Sequence, residues 1–194
     1  MKQRVRTFIA VDIDAAIRKA AQGLIDQLRQ AGADVKWVEP ENLHLTVKFL
    51  GDVDADKLAQ VCGAVEKAVA ELAPFALELR GAGAFPNVRR PQTIWLGAEE
   101  GDDRMAELAE RIETVLEPFR FRRETRRYRT HLTLGRLRRE GAGVGVGDLG
   151  RLVEQLAGYE AGRMPVEELV VYSSELTRAG PVYEAMGRAA LGGQ

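Results

Sequence analysis

The sequence predicts an α+β protein, with two antiparallel-sheet lobes and flanking helices around a central cleft. Strand-like and helix-like segments interleave, yet several strand pairs are joined by connections of hairpin length, which suit antiparallel pairing and are too short for parallel crossovers. The tripeptide His-Leu-Thr stands at residues 44–46 and again at 131–133, once in each half of the chain. Two similar lobes facing each other would bring the copies together, within a single bilobal domain spanning residues 1–194.

The elements follow in order. Residues 4–13 (R-V-R-T-F-I-A-V-D-I) alternate and are rich in β-branched side chains, as a strand requires, and Asp14 is the expected N-cap of a helix running to residue 30. Trp37 and Val38 follow a Gly-Ala-Asp turn, and residues 43–50 (L-H-L-T-V-K-F-L) alternate strictly up to Gly51. Asp54 is the expected cap of a second helix, whose Leu58, Val61, Val65 and Val69 share one face. Residues 75–79 and 93–96 read as strands joined by a loop carrying Phe85-Pro86-Asn87, and residues 102–116 as a helix ended by Pro118. A strand at 131–137, a glycine-rich connector at 141–147, a short helix at 149–156 and a hairpin of 166–176 with 182–189 complete the pattern.

Composition excludes several classes of function. No run approaches the roughly 20 apolar residues of a membrane span, and the start of the chain lacks a signal-type apolar region, so a cytoplasmic protein without membrane contact is expected. A monomer is expected as well. Cys62 is the only cysteine, which leaves no internal disulfide and no cysteine-based metal cluster, and its helical context assigns it to the core. The net charge of -1 is uninformative as a sum, because the charges are unevenly placed.

The two histidines carry the functional signal, because both are followed by Leu-Thr inside an alternating strand. With 21 leucines and 8 threonines in 194 residues, the coincidence has a chance on the order of one in 10⁵ before allowance for choosing the motif afterwards. On a strand, residues i and i+2 share a face, so His44 projects with Thr46 and His131 with Thr133, while the intervening leucines face the core. Two imidazole–hydroxyl pairs on one cleft would supply two groups that exchange protons near neutral pH and two hydroxyls for phosphate oxygens. Two histidines without a third matching ligand do not complete a metal site, so neither a metal nor another cofactor is expected.

These residues resemble the two-histidine (2H) phosphoesterases, and within them the RNA 2',3'-cyclic phosphodiesterases, also called 2'-5' RNA ligases. The likeness covers R-T-F-I-A-V-D-I, W-V-E-P-E-N-L-H-L-T-V-K-F-L-G, F-P-N-V-R-R-P-Q-T-I-W-L-G, H-L-T-L-G-R, Y-S-S-E-L and G-P-V-Y-E. The resemblance implies a metal-free cleft in which His44 is the general acid, His131 the general base, and Thr46 and Thr133 bind phosphate. It implies RNA with a 2',3'-cyclic phosphate end as the partner, a 2'-phosphate as the product, and 2'-5' ligation as the reverse reaction. Arg136 stands where the family's second motif often carries an arginine, yet five residues after His131 a regular strand would turn it away, unless the strand bends near Gly135.

Nine arginines lie between Arg120 and Arg139, interleaved with Phe119, Phe121 and Tyr128. With Arg126, Arg127 and Tyr128 at its centre, this stretch is the expected strip for RNA phosphates and a stacked base. Lys48 shares the alternation of His44 and Thr46 and is a further candidate phosphate contact. Trp37, Trp95 and Phe49 are assigned to the core. Two alternatives stay open from sequence alone: a non-catalytic RNA- or nucleotide-binding module, and the same chemistry on a small cyclic nucleotide.

Overall fold

The computed structural model describes residues 3–138, 143–178 and 180–193. β1 (Arg4–Asp12) passes through Asp14 into α1 (Ala15–Arg29), and the Asp14 carboxylate accepts the Ile17 N–H at 2.8 Å, as the sequence predicts for a cap. β2 (Val35–Trp37) and a one-turn helix at Pro40–Asn42 precede β3 (His44–Asp54). A second single turn at Ala55–Lys57 leads into α2 (Leu58–Val69), so Asp54 makes no side-chain cap bond and faces Arg4 and Lys57 instead.

β4 (Phe75–Phe85) and β5 (Thr93–Ala98) form a longer hairpin than expected, because the glycine- and alanine-rich residues 80–85, a loop by composition, pair with β5 as far as Phe85↔Thr93. α3 (Asp102–Val115), β6 (His131–Leu137) and α4 (Val146–Gln155) follow. Part of the glycine-rich connector, and Arg139 with it, lies outside the described residues. β7 (Glu160–Val166) contains Gly162 and Pro165 and has no strand-like alternation; pairing with β4 forms it. β8 (Glu168–Leu176) and β9 (Pro181–Ala190) are the expected closing hairpin.

Among the described residues the strands form one antiparallel sheet in the order β7-β4-β5-β6-β3-β1-β8-β9, with β2 also on β6. The two expected sheets are therefore joined, at the single pair Leu45↔Leu132 between β3 and β6. β2 occupies the same edge of β6 further along, from Gly135 to Leu137, so β3 and β6 cannot continue together and the sheet opens into a cleft between them. The lobes do not coincide with the halves of the sequence. α1 packs on β7 and α4 on β4, while α2 packs on β9 and α3 on β3, so each half-sheet is covered by one helix from each half of the chain. The apolar faces Ile17–Leu24–Leu28, Val61–Val65–Val69 and Leu108–Ile112 are buried in this way, together with Ile9, Leu96 and Leu134 from the sheet.

Candidate active site

The seam between the half-sheets places the histidines. Leu45 and Leu132 are completely buried, so strand alternation turns His44, Thr46, His131 and Thr133 to the opposite face, where all four line one cleft. Continuing the Leu45↔Leu132 register by one residue each way sets His44 across from Thr133 and Thr46 across from His131. Each imidazole is oriented by a backbone carbonyl two residues upstream. His44 Nδ1 lies 2.8 Å from the Asn42 oxygen and His131 Nδ1 lies 2.7 Å from the Arg129 oxygen. A carbonyl only accepts, so Nδ1 carries the hydrogen in both rings and Nε2 is left to exchange a proton with a substrate.

Both strands also carry a β-bulge at the same offset. On β3, Ile9 pairs with Lys48 and Ala10 with Thr46, leaving Val47 as the extra residue; on β6, Ile94 pairs with Gly135 and Trp95 with Thr133, leaving Leu134. The bulge resets the alternation and answers the question of Arg136, which returns to the face of His131 and lines the cleft. Its guanidinium donates to Thr93 Oγ1 at 2.9 Å. On β3 the corresponding position is Phe49, which lines the cleft at 64% exposure and does not belong to the core as expected.

Electrostatics separates the two histidines. Burial lowers the pKa of each, because desolvation disfavours the imidazolium. For His44 the Asn42 carbonyl and the carboxylate of Asp12, its cross-strand partner, pull the pKa back up. For His131 the Arg129 carbonyl acts the same way, but the charges of Arg136 and Arg129 push the pKa further down, and Gly97 stands where β1 supplies Asp12. Asp12 is itself held by the Tyr172 hydroxyl at 2.7 Å and by Arg188 at 3.7 Å. Both rings thus hold a proton less readily than a free imidazole, and the neighbouring charges oppose this effect at His44 and reinforce it at His131.

The remaining candidates sort by their partners. Arg126 and Arg127 are exposed and line the cleft. Lys48 lines it too, but is 6% exposed and ion-paired to Glu113 at 2.5 Å, with a second bond to the Arg122 carbonyl at 3.1 Å. The bulge at Val47 takes it out of the His44–Thr46 alternation, so its charge is already compensated and it anchors the arginine segment. Tyr128 is half-buried, and its hydroxyl donates to the Thr46 carbonyl at 3.0 Å, which ties the same segment to β3 and occupies the phenol. Phe119 and Phe121 stack on each other, partly buried against the core. Trp37 and Trp95 are half-buried, and Cys62 packs against the core as expected. Sequence reading missed Asp12 and the aromatic ring around His44: Phe8 stacks on it at 4.8 Å and Tyr183 meets it edge-on at 5.3 Å. Only cross-strand register reveals these neighbours, and one sequence does not carry it.

The family model for LigT-like phosphoesterases matches residues 11–95 and again 96–183, one copy for each histidine motif. The chain belongs to this family of 2H phosphoesterases. It is 40% identical over 184 residues to a protein of Methanothermobacter thermautotrophicus named RNA 2',3'-cyclic phosphodiesterase, covering 94% of this chain and 97% of that one. An Archaeoglobus fulgidus protein of the same name is 34% identical over 182 residues, covering 93% and 97%. Among solved structures, a Thermus thermophilus protein superimposes with a TM-score of 0.80 at 28% identity over 97% of this chain and 99% of that chain. Escherichia coli LigT complexed with 3'-AMP does so with a TM-score of 0.75 at 25% identity, over the same shares. The LigT-like fold thus combines mixed helices with one curled antiparallel sheet, and the chain is an enzyme of the cyclic phosphodiesterase class. Among the described residues no helix is long and apolar enough to cross a membrane.

Proposed function

We propose that this LigT-like enzyme hydrolyses 2',3'-cyclic phosphate ends of RNA to 2'-phosphates without a metal ion, His131 acting as base and His44 as acid. The observation that carries this reading is the charge asymmetry, Asp12 beside His44 against Arg136 and Arg129 beside His131. In-line displacement needs a base and an acid on opposite sides of phosphorus. His131 Nε2 takes the proton of water as its oxygen attacks. The P–O3' bond breaks, and the departing 3' oxygen takes a proton from His44 Nε2. Thr46, Thr133 and Arg136 bind the non-bridging oxygens as negative charge builds. With a terminal 5'-hydroxyl in place of water as the nucleophile, the same displacement forms a 2'-5' linkage and frees the 3'-hydroxyl.

RNA as the substrate is supported by the name shared by the relatives and by size, since the cleft measures about 2710 Å³ against the roughly 300–1,000 Å³ of small-molecule sites. Arg126 and Arg127 on its wall extend the contact to phosphates further up the strand. The donor set supports metal independence: among the described residues no three or more His, Cys, Asp or Glu converge. The protein acts in this reading as a cytoplasmic monomer. The deciding experiment follows an oligonucleotide with a 2',3'-cyclic phosphate end in excess chelator. A 2'-phosphate should form at the full rate; loss of activity that a divalent ion restores would overturn the mechanism.

A further inference from the structure

The two motif strands are held differently along the edges that face each other. Among the described residues β3 and β6 pair only at Leu45↔Leu132, so each threonine of the motifs is the residue just after the shared pair. On β6 another strand takes over at once. The Leu134 carbonyl accepts the Val38 N–H at 2.8 Å, and Trp37 of β2 pairs with Gly135. On the same edge of β3 no strand takes over among the described residues. The Thr46 carbonyl is met there by a side chain, the Tyr128 hydroxyl, which donates to it at 3.0 Å from 82 residues further along the chain.

Other contacts already hold the segment that carries Tyr128, on both sides of it. Lys48 Nζ, ion-paired to Glu113, donates to the Arg122 carbonyl at 3.1 Å, and the Asp102 carboxylate accepts the Thr130 N–H at 3.2 Å. The Tyr128 ring itself packs against the core. What its hydroxyl adds is therefore felt at the Thr46 end of the bond. Burial, with the nearby charge of Asp102, raises the phenol above its ordinary pKa, so it stays a donor throughout the range in which imidazoles titrate. Thr46 also precedes the bulge at Val47, where the β1 ladder is interrupted and the backbone is least fixed by pairing. A strand free to shift at that point would carry the Thr46 hydroxyl with it.

We propose that Tyr128 is a positioning residue for phosphoryl transfer, whose hydroxyl stands in for the missing strand at Thr46 and so sets the Thr46 hydroxyl toward a non-bridging oxygen. The inference rests on the role given to Thr46 in the proposed function. It replaces the base-stacking role that the place of Tyr128 among the arginines suggests. On β6 the backbone of β2 and Val38 serves Thr133 in the same way.

The test is a double-mutant cycle on the full chain, with adenosine 2',3'-cyclic phosphate as substrate and thermal unfolding as the check that each variant is folded. Tyr128→Phe keeps the ring and loses the hydroxyl. It should lower kcat about tenfold, the worth of one good hydrogen bond, and leave KM within about twofold. In Thr46→Ser, which retains a hydroxyl to be placed, Tyr128→Phe should cost as much again; in Thr46→Ala, which has none, it should cost nothing further. KM for an RNA oligomer and its salt dependence should match the wild type, because the arginines stay anchored. Equal losses in the Thr46→Ser and Thr46→Ala backgrounds would give Tyr128 a merely structural role and overturn the proposal. So would an unchanged kcat, a salt dependence that flattens along with kcat, or loss of the fold on removal of this one hydroxyl. Absence of 2'-phosphate from the wild type would instead overturn the proposed function.

Discussion

β3 and β6 are built alike where a phosphate would be held and differently where protons would be controlled. Both present His-x-Thr on the cleft face, both orient the ring through Nδ1 to a carbonyl two residues upstream, and both bulge at the residue after the threonine. They differ across the ladder, Asp12 against Gly97, and at the fifth position, Phe49 against Arg136. A repeated backbone thus supplies two equivalent imidazoles, and three or four side chains set unlike charges beside them. Geometry alone would leave the roles interchangeable; in the proposed mechanism the charge difference separates them.

The harshest way to break this comparison is to remove each ring. His44→Ala and His131→Ala should each lower kcat/KM by about 10³–10⁴-fold, and the double variant should be little worse, because the two act as a unit. A cyclic phosphate with a far better leaving group should rescue His44→Ala much more than His131→Ala. Rescue of His131→Ala alone would reverse the assignment.

Milder changes address the charges. In the proposed mechanism activity should rise with pH as His131 loses its proton and fall as His44 loses its own, the apparent values belonging to the coupled pair. Arg136 lowers the His131 pKa, so Arg136→Gln should move the rising limb to higher pH. Asp12 raises the His44 pKa, so Asp12→Asn should move the falling limb to lower pH. Each variant narrows the active range, from opposite ends, and for a shift near one unit should cost about tenfold on the limb that moves and only a few-fold at the wild-type optimum. Movement of the same limb in both variants would contradict the division of roles.

Outside the pair of strands, the arginine wall should act on binding only. Arg126→Ala with Arg127→Ala should raise KM for an RNA oligomer and flatten its salt dependence by about 0.7 in log–log slope for each phosphate no longer neutralised. A cyclic-phosphate mononucleotide should be nearly unaffected. Equal effects on both substrates would place these residues in the chemistry or the fold.

Much of this site was legible in the chain, because a two-residue strand period projects His and Thr together whatever the rest of the fold does. The α+β class followed from element order in the same way. What one sequence conceals is register. The bulge at Leu134 that returns Arg136 to the cleft, the pairing that sets Asp12 opposite His44, and the ion pair that commits Lys48 to Glu113 all depend on how distant strands and helices align. β7 was hidden for a related reason: with Gly162 and Pro165 inside it, its conformation comes from β4 and not from its own propensities.

The smallest expected effect comes from making the strands more alike. Phe49 occupies on β3 the place of Arg136 on β6 and is 64% exposed, so Phe49→Arg should change stability by no more than about 0.5 kcal/mol. A guanidinium there adds positive charge on the His44 side, which favours the neutral ring, and the falling limb of the pH profile should move to lower pH. The shift should be smaller than that of Asp12→Asn, since an exposed charge is screened, and it should shrink further as salt is raised. The rising limb should stay in place. Adding Arg136→Phe in the same chain exchanges the two side chains, and that rising limb should then move up as it does in Arg136→Gln alone. If Phe49→Arg instead moved the rising limb, charge at this position would be reaching His131, and the two strands could not be treated as separately tuned halves of one acid–base pair.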